Sequence, residues 1–359
     1  MVRHSRLQRS RQATIGEKSR IGLRFAAAVT GACLLAQNAS AADTCLRGVN
    51  LAGAEFGELA DDYGKGYIYP SPQTIEYFAG KGFTAVRLPF LWERLQPVLY
   101  KGFSGPEARR LARTVALIRS KGMVVVLDPH NYARYRGNVI GSDETPQSAF
   151  ADFWRRLSTI YANQDGVTFG LMNEPHDISA ENWLSAANSA IAAIRATGAR
   201  NLVLVPGTAW TGAHSWMAGD YGTPNASAML NVADPGNNYA YEVHQYLDAD
   251  FSGKAAECSR AADAVKAIGD LTAWLRSHGK HAFLGEFAVP TGGECQSALA
   301  DMVSGVERNA DVWLGWSYWA GGDWWPADEP MNIQPQNGAD RPQMATLSRM
   351  FITHPVCGP

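Results

Sequence analysis

Two glutamates stand where short apolar runs end, Glu174 in Leu171-Met172-Asn173-Glu174-Pro175 and Glu286 in Leu284-Gly285-Glu286-Phe287. Other apolar runs also finish on polar or aromatic residues: Val86-Arg87-Leu88-Pro89-Phe90, Leu127-Asp128-Pro129-His130-Asn131-Tyr132, Glu242-Val243-His244-Gln245-Tyr246 and Gly315-Trp316-Ser317-Tyr318-Trp319. A carboxylate at the end of a buried run needs partners, because leaving it alone in a low-dielectric interior costs several kcal/mol. A structural salt-bridge ring would account for one such group. Two, in the company of Arg87, two histidines, an asparagine and a tryptophan, point to paired carboxylates doing acid/base and nucleophilic work. His130 and His244 with either glutamate also compose a zinc set of two imidazoles and one carboxylate. No two of these residues share a local ligand motif, and the paired-carboxylate reading uses them all, so neither a metal nor any other cofactor is expected.

The elements that must position these groups are legible as repeats. Apolar runs at 46–50, 83–88, 123–127, 167–172, 202–205, 239–244, 282–287 and 312–319 have strand length, and unbroken apolarity suits parallel strands buried on both faces. Between them lie helical stripes: Phe150, Phe153, Trp154, Leu157, Ile160 and Tyr161; Trp183, Leu184, Ala187, Ile191 and Ile194; Val265, Ile268, Leu271, Trp274 and Leu275. Gly82, Gly122 and Gly279 mark helix stops just before the next strand. About eight strand–helix alternations predict a single α/β domain, a (β/α)8 TIM barrel with the site at the C-terminal ends of its strands, where all those polar residues converge. A doubly wound open sheet is the rival, but Leu51-Ala52-Gly53-Ala54-Glu55-Phe56-Gly57 fits its glycine fingerprint poorly.

The first forty residues read as an address. Seven of the chain's 32 basic side chains and one of its 34 acidic ones precede a short apolar stretch and Ala39-Ser40-Ala41, the pattern of a signal-peptidase site. Residues 1–41 are therefore expected to be a secretion signal cleaved after Ala41 or Ala42, with a membrane anchor as the rival reading. Residues 42–359 are expected to form the barrel, with no separate binding module. Cleavage turns the formal charge of −2 into −8 and leaves no basic footprint for nucleic acid. It also leaves Cys45, Cys258, Cys295 and Cys357, which admit three pairings in an oxidising compartment; Cys258–Cys295 with Cys45–Cys357 is preferred. Five of the eleven tryptophans fall between Trp313 and Trp325, where the last strand meets the mouth. Trp154, Trp183 and Trp274 sit on helical core faces. Asn225-Ala226-Ser227 has the form of a glycosylation sequon.

In order, Arg47-Gly48-Val49-Asn50, Val86-Arg87-Leu88-Pro89, Asp128-Pro129-His130-Asn131-Tyr132, Asn173-Glu174-Pro175, Val243-His244-Gln245-Tyr246-Leu247-Asp248 and Gly285-Glu286-Phe287 resemble glycoside hydrolase family five. The His-Asn-Tyr and His-Gln-Tyr-Leu-Asp forms are similar to its secreted endo-β-1,4-glucanase (cellulase) branch. The resemblance spans nearly the whole chain beyond residue 42. It implies that Glu174 is the acid/base and Glu286 the nucleophile of a retaining reaction, with Glu174 protonated and Glu286 ionised. Arg87 would keep Glu286 anionic, Tyr246 would bond it, Asn173 would meet the sugar 2-hydroxyl, and His130 and His244 would serve as neutral donors and acceptors. Trp319 would be the platform at the cleavage point, with Asn131, Tyr132, Trp210 and Trp324 as further sugar contacts, and Glu55, Phe56 and Trp325 as weaker candidates. A β-glucan partner, a monomer and a secreted location follow, with periplasmic transit and no membrane contact after cleavage. β-Mannan or xyloglucan is the alternative substrate, and a non-catalytic glycan-binding barrel the alternative class.

Overall fold

The computed structural model describes residues 46–353 apart from Tyr221. Eight parallel strands close into a barrel: β1 Leu46–Leu51, β2 Ala85–Phe90, β3 Val124–Pro129, β4 Val167–Gly170, β5 Val203–Pro206, β6 Tyr239–His244, β7 Ala282–Glu286 and β8 Trp313–Gly321. Each pairs with its sequence neighbours, and β8 returns to β1. Helices follow in alternation: α1 Pro72–Gly80, α2 Gly105–Ser120, α3 Gln147–Tyr161, α4 Ala180–Ala196, α5 Asn225–Ala228, α6 Ala261–His278, α7 Gly293–Glu307 and α8 Pro342–Thr353. All eight expected strands are present. The proposed signal segment and the Cys45–Cys357 pairing lie outside the described residues.

The helix faces follow the apolar stripes. On α3, Phe150, Phe153, Trp154, Leu157 and Tyr161 are buried, whereas Ile160 is exposed. One residue before Tyr161, Ile160 is turned roughly 100° out of the stripe. The indoles fasten helices to strand ends: Trp154 Nε1 donates to the Leu171 carbonyl at 3.1 Å and Trp183 Nε1 to the Pro206 carbonyl at 2.7 Å. Trp154 thus ties α3 to the backbone just before Glu174. Gly122 and Gly279 take positive φ where α2 and α6 stop, a conformation that costs a Cβ-bearing residue more.

Alternation along the strands layers the barrel interior. A lower layer of Leu46, Ala85, Val126, Leu204, Ala240, Phe283 and Leu314 is apolar. Two residues further along β2, β3 and β6 come Arg87, Asp128 and Glu242, all buried. The apolar plug therefore supports an ionic layer beneath the mouth.

Candidate active site

Arg87 organises the centre. β1 and β2 are in register at Asn50 and Arg87, and Arg87 Nη1 donates to Asn50 Oδ1 at 3.0 Å and to Glu286 Oε1 at 2.9 Å. Nε donates to Glu242 Oε1 at 2.7 Å, Nη2 to Asn173 Oδ1 at 2.8 Å, and Nη1 lies 3.0 Å from Asp128 Oδ2. A planar fork of five N–H donors can serve acceptors on five strands or strand ends at once, which a lysine cannot.

Glu286 closes β7 and is 3% exposed. Its Oε2 accepts from the Tyr246 hydroxyl at 2.7 Å. Burial pushes its carboxyl above the ordinary value, while His244 and Arg87 pull the other way. Arg87 and Tyr246 present only donors to it, a set that fits the anion.

Glu174 is more open, its side chain 16% exposed, and its Oε1 lies 2.8 Å from His244 Nδ1. Its backbone adopts φ +40, a left-handed conformation that a residue with a side chain takes at a cost of about 1–3 kcal/mol. Asn173 N–H to the Pro129 carbonyl and Trp210 N–H to the Pro175 carbonyl hold the segment from both sides. One oxygen of Glu174, one of Glu286 and a ring nitrogen of His244 all lie within 4.8 Å of one another.

His244 differs from the neutral group expected, whereas His130 keeps a bare Nε2 that accepts from Asn173. Burial opposes charge on His244, but Glu286, Glu174 and Glu242 outweigh it and push its pKa up to about 10. His130 is raised in the same way, burial being overcome chiefly by Asp128, whose Oδ2 lies 2.7 Å from His130 Nδ1. The other edge of that ring, Nε2, meets Asn173 Nδ2 at 3.1 Å.

These groups line a cleft of about 640 Å³ shared by Tyr132, Trp210, Trp319, His214 and residues 250–254. His130 stacks near Trp319 at 5.4 Å, Trp325 meets Trp319 edge-on at 5.6 Å, and His176 stacks on the exposed Trp210 at 4.8 Å. Glu174, His244 and Glu286 would be the donors for a cation, but Arg87 and Tyr246 occupy both Glu286 oxygens and Glu174 takes His244 Nδ1. Each of the three groups is thus already engaged in a hydrogen bond, and Arg87 puts a fixed positive charge beside Glu286.

Two expected sugar contacts fall elsewhere. Asn131 is buried outside the cleft, its Oδ1 accepting from Trp92 N–H at 2.7 Å and its Nδ2 donating to Glu93, so it pins the short helix Trp92–Leu95. Trp324 is exposed and does not line the cleft; the neighbouring Trp325 turns in toward Trp319 and Phe56. The sequon asparagine Asn225 is buried and spent on Thr208, which removes it as a glycan acceptor. The Cys258–Cys295 disulfide is formed. Sequence reading missed Glu242, the role of Asp128, and the wall at 250–254. For Glu242 the signal was alternation, since Ala240, Glu242 and His244 share one face of β6.

A closed parallel barrel with two glutamates at the mouth ends of β4 and β7, one histidine between them and an arginine on the second, defines a barrel glycoside hydrolase. Residues 38–322 match the model described as cellulase (glycosyl hydrolase family 5), and the chain belongs to that family. It is 37% identical over 307 residues to endo-beta-1,4-glucanase B of Aspergillus niger, covering 85% of this chain and 89% of that one. Among solved structures, XacCel5A in complex with cellopentaose is 46% identical with a TM-score of 0.84, covering 86% of this chain and 99% of that one. The endo-beta-1,4-glucanase Xac0029 of Xanthomonas axonopodis pv. citri is 45% identical with a TM-score of 0.83, covering 85% and 98%.

Proposed function

We propose that this protein is a retaining endo-1,4-β-glucanase acting on cellulose or mixed-linkage β-glucan. The observation that carries the mechanism is the closeness of the two carboxylates, with oxygens of Glu174 and Glu286 within 4.8 Å. Retaining enzymes hold their carboxyl groups about 5–5.5 Å apart, whereas inverting enzymes leave about 6.5–9.5 Å for a water. Glu286 attacks the anomeric carbon as Glu174 passes its proton to the departing glycosidic oxygen, giving a glycosyl ester on Glu286. Water then attacks that carbon, gives its proton to Glu174, and frees Glu286 as the carboxylate. Arg87 and Tyr246 hold the nucleophile, and Asn173, fixed by Arg87 and His130, faces the sugar beside the acid. Tyr132, Trp210 and Trp319 offer aromatic faces for pyranose C–H surfaces.

Membership of a family whose chemistry is retaining supports the double displacement. The names of the relatives and the cellopentaose complex of XacCel5A support the β-1,4-glucan substrate. The 1–41 signal reading and the secreted location of a monomeric barrel are part of the same proposal; among the described residues no helix is long and apolar enough to cross a membrane. Reducing-sugar release from carboxymethylcellulose and mixed-linkage β-glucan should exceed that from galactomannan and xyloglucan; the reverse order would refute the substrate assignment while leaving the chemistry standing.

A further inference from the structure

One buried carboxylate has no role in the chemistry above. Glu242, two residues before His244 on β6, is 1% exposed. Its Oε1 accepts from Arg87 Nε, while its Oε2 has no hydrogen-bond partner among the described residues. Facing it, His244 Nε2 is also buried without a partner, 3.6 Å from Glu242 Oε1, and Nδ1 of the same ring meets Glu174. The neighbouring strands leave room for this pair. A methyl group at Gly285 would lie 2.6 Å from Glu242 Oε1 and 3.0 Å from His244 Nε2, and one at Gly170 would lie 3.2 Å from Glu242 Oε2. An orphaned carboxylate oxygen is expensive to bury, so a glycine beside each oxygen of Glu242, Gly285 at Oε1 and Gly170 at Oε2, indicates a use for the charge of the group.

The charges around the ring come from five strands or strand ends. Glu242 stands on β6, Glu174 at the end of β4, Glu286 on β7 and Asp128 on β3; Arg87 faces them from β2, and Tyr246 and His130 complete the set. Arg87 alone carries fixed positive charge against the buried Glu242, Glu286 and Asp128, and the His244 imidazole is the group beside them that can add a proton. Burial opposes ionisation of Glu242 as well, but Arg87 and His244 overcome it and hold it below the usual carboxylate range.

We propose that Glu242 is a positioning residue for the acid/base glutamate: from the far edge of the His244 ring it fixes a hydrogen on Nε2 and leaves Nδ1 to share with Glu174 the proton bound for the leaving oxygen. The tautomer of an imidazole is set by what its other nitrogen meets. With hydrogen on Nε2, a neutral ring accepts from protonated Glu174 at Nδ1, and an imidazolium donates the same proton to the carboxylate; either way the pair retains it. The opposite tautomer would set a bare Nε2 against a carboxylate and would need Glu174 as an anion. The proposal rests on the reading of Glu174 as acid/base.

Glu242→Gln keeps the shape and the acceptor for Arg87 Nε but removes the charge that favours a hydrogen on Nε2. In the folded variant, verified by its thermal unfolding, the alkaline limb of kcat/KM on cellotetraose should fall by roughly 1–3 pH units. The limb on 2,4-dinitrophenyl cellobioside, whose leaving group needs no proton, should stay in place. An unmoved cellotetraose limb overturns the proposal, as does an equal shift on both substrates. If Glu174→Gln cleaves cellotetraose at the parent rate, it is the acid/base reading that fails. In the unmodified enzyme, 15N NMR of His244 should show Nε2 protonated, as tautomer or imidazolium; a neutral ring bare at Nε2 overturns the proposal whether or not the variant folds.

Discussion

The Tyr246 hydroxyl donates to Glu286 Oε2 at 2.7 Å, while Arg87 holds the opposite oxygen. Both donors stabilise the charged form of a carboxyl that burial pushes up. Tyr246→Phe should lower kcat about 10–100-fold, the worth of about 1.5–3 kcal/mol in a hydrogen bond to a charged group. With one donor gone the anion is less favoured, so the acid limb of the pH–rate profile should move upward. Steady-state kinetics across pH would show both effects; an unchanged acid limb would argue against contact with the nucleophile.

Arg87→Lys should be more damaging than its charge conservation suggests. The fork serves Glu242, Glu286, Asp128, Asn50 and Asn173 together, and an ammonium cannot reproduce that plane. Uncompensated buried carboxylates cost about 3–5 kcal/mol. Chemical denaturation should register a loss of that order, with activity reduced even where the variant is fully folded.

Stability should fall on the alkaline side because of His244. Its folded-state pKa is raised to about 10 from an ordinary 6.5, so its contribution is fully present below about 6.5 and is lost as pH rises through about 10. Glu242, held low, acts in the opposite sense: its contribution is present above the ordinary carboxylate value and is lost as pH falls through its lowered one. Tm measured from pH 6.5 to 10 should decline less steeply in His244→Asn than in the parent. Parallel curves would mean that the ring carries no excess proton.

The Cys258–Cys295 bridge joins the loop after β6, which supplies the 250–254 wall of the cleft, to the first turn of α7. Its partners are 37 residues apart in sequence, and the chain-entropy model gives about 3–4 kcal/mol for closing such a loop. Replacing both cysteines by serine should lower stability by up to that amount and raise KM for long cello-oligosaccharides more than it lowers kcat. Thiol titration of the unfolded, signal-free protein should find no free cysteine.

Exhaustive chelation should leave activity intact, because the Glu174, His244 and Glu286 donors are already engaged with one another, Arg87 and Tyr246. Loss of activity that a divalent cation restores would reopen the metal reading.

The barrel was legible because parallel strands covered on both faces are written as continuous apolar runs, and the site because a barrel gathers every strand's C-terminal end at one mouth. Glu174, Glu286, Arg87, Asn173, His130, His244 and Tyr246 were found by that rule and converge. Asn131 was misjudged for a local reason: one position after His130, its side chain turns to the backbone of Trp92 instead of the cleft. Trp324 and Trp325 sit together beyond β8, and neither periodicity nor composition says which one a loop turns inward. The raised pKa of His244 depends on carboxylates from several strands summing at one point, which no local pattern encodes. Glu242 was hidden inside a strand because its purpose lies in its neighbours across the barrel.

The central claim is a double displacement between Glu286 and Glu174, and the configuration of the first product tests it most directly. Proton NMR during cellopentaose hydrolysis, recorded before mutarotation, should show the new reducing end first as the β-anomer. Initial appearance of the α-anomer would mean a single displacement by water and would contradict the assignment of Glu286 as nucleophile.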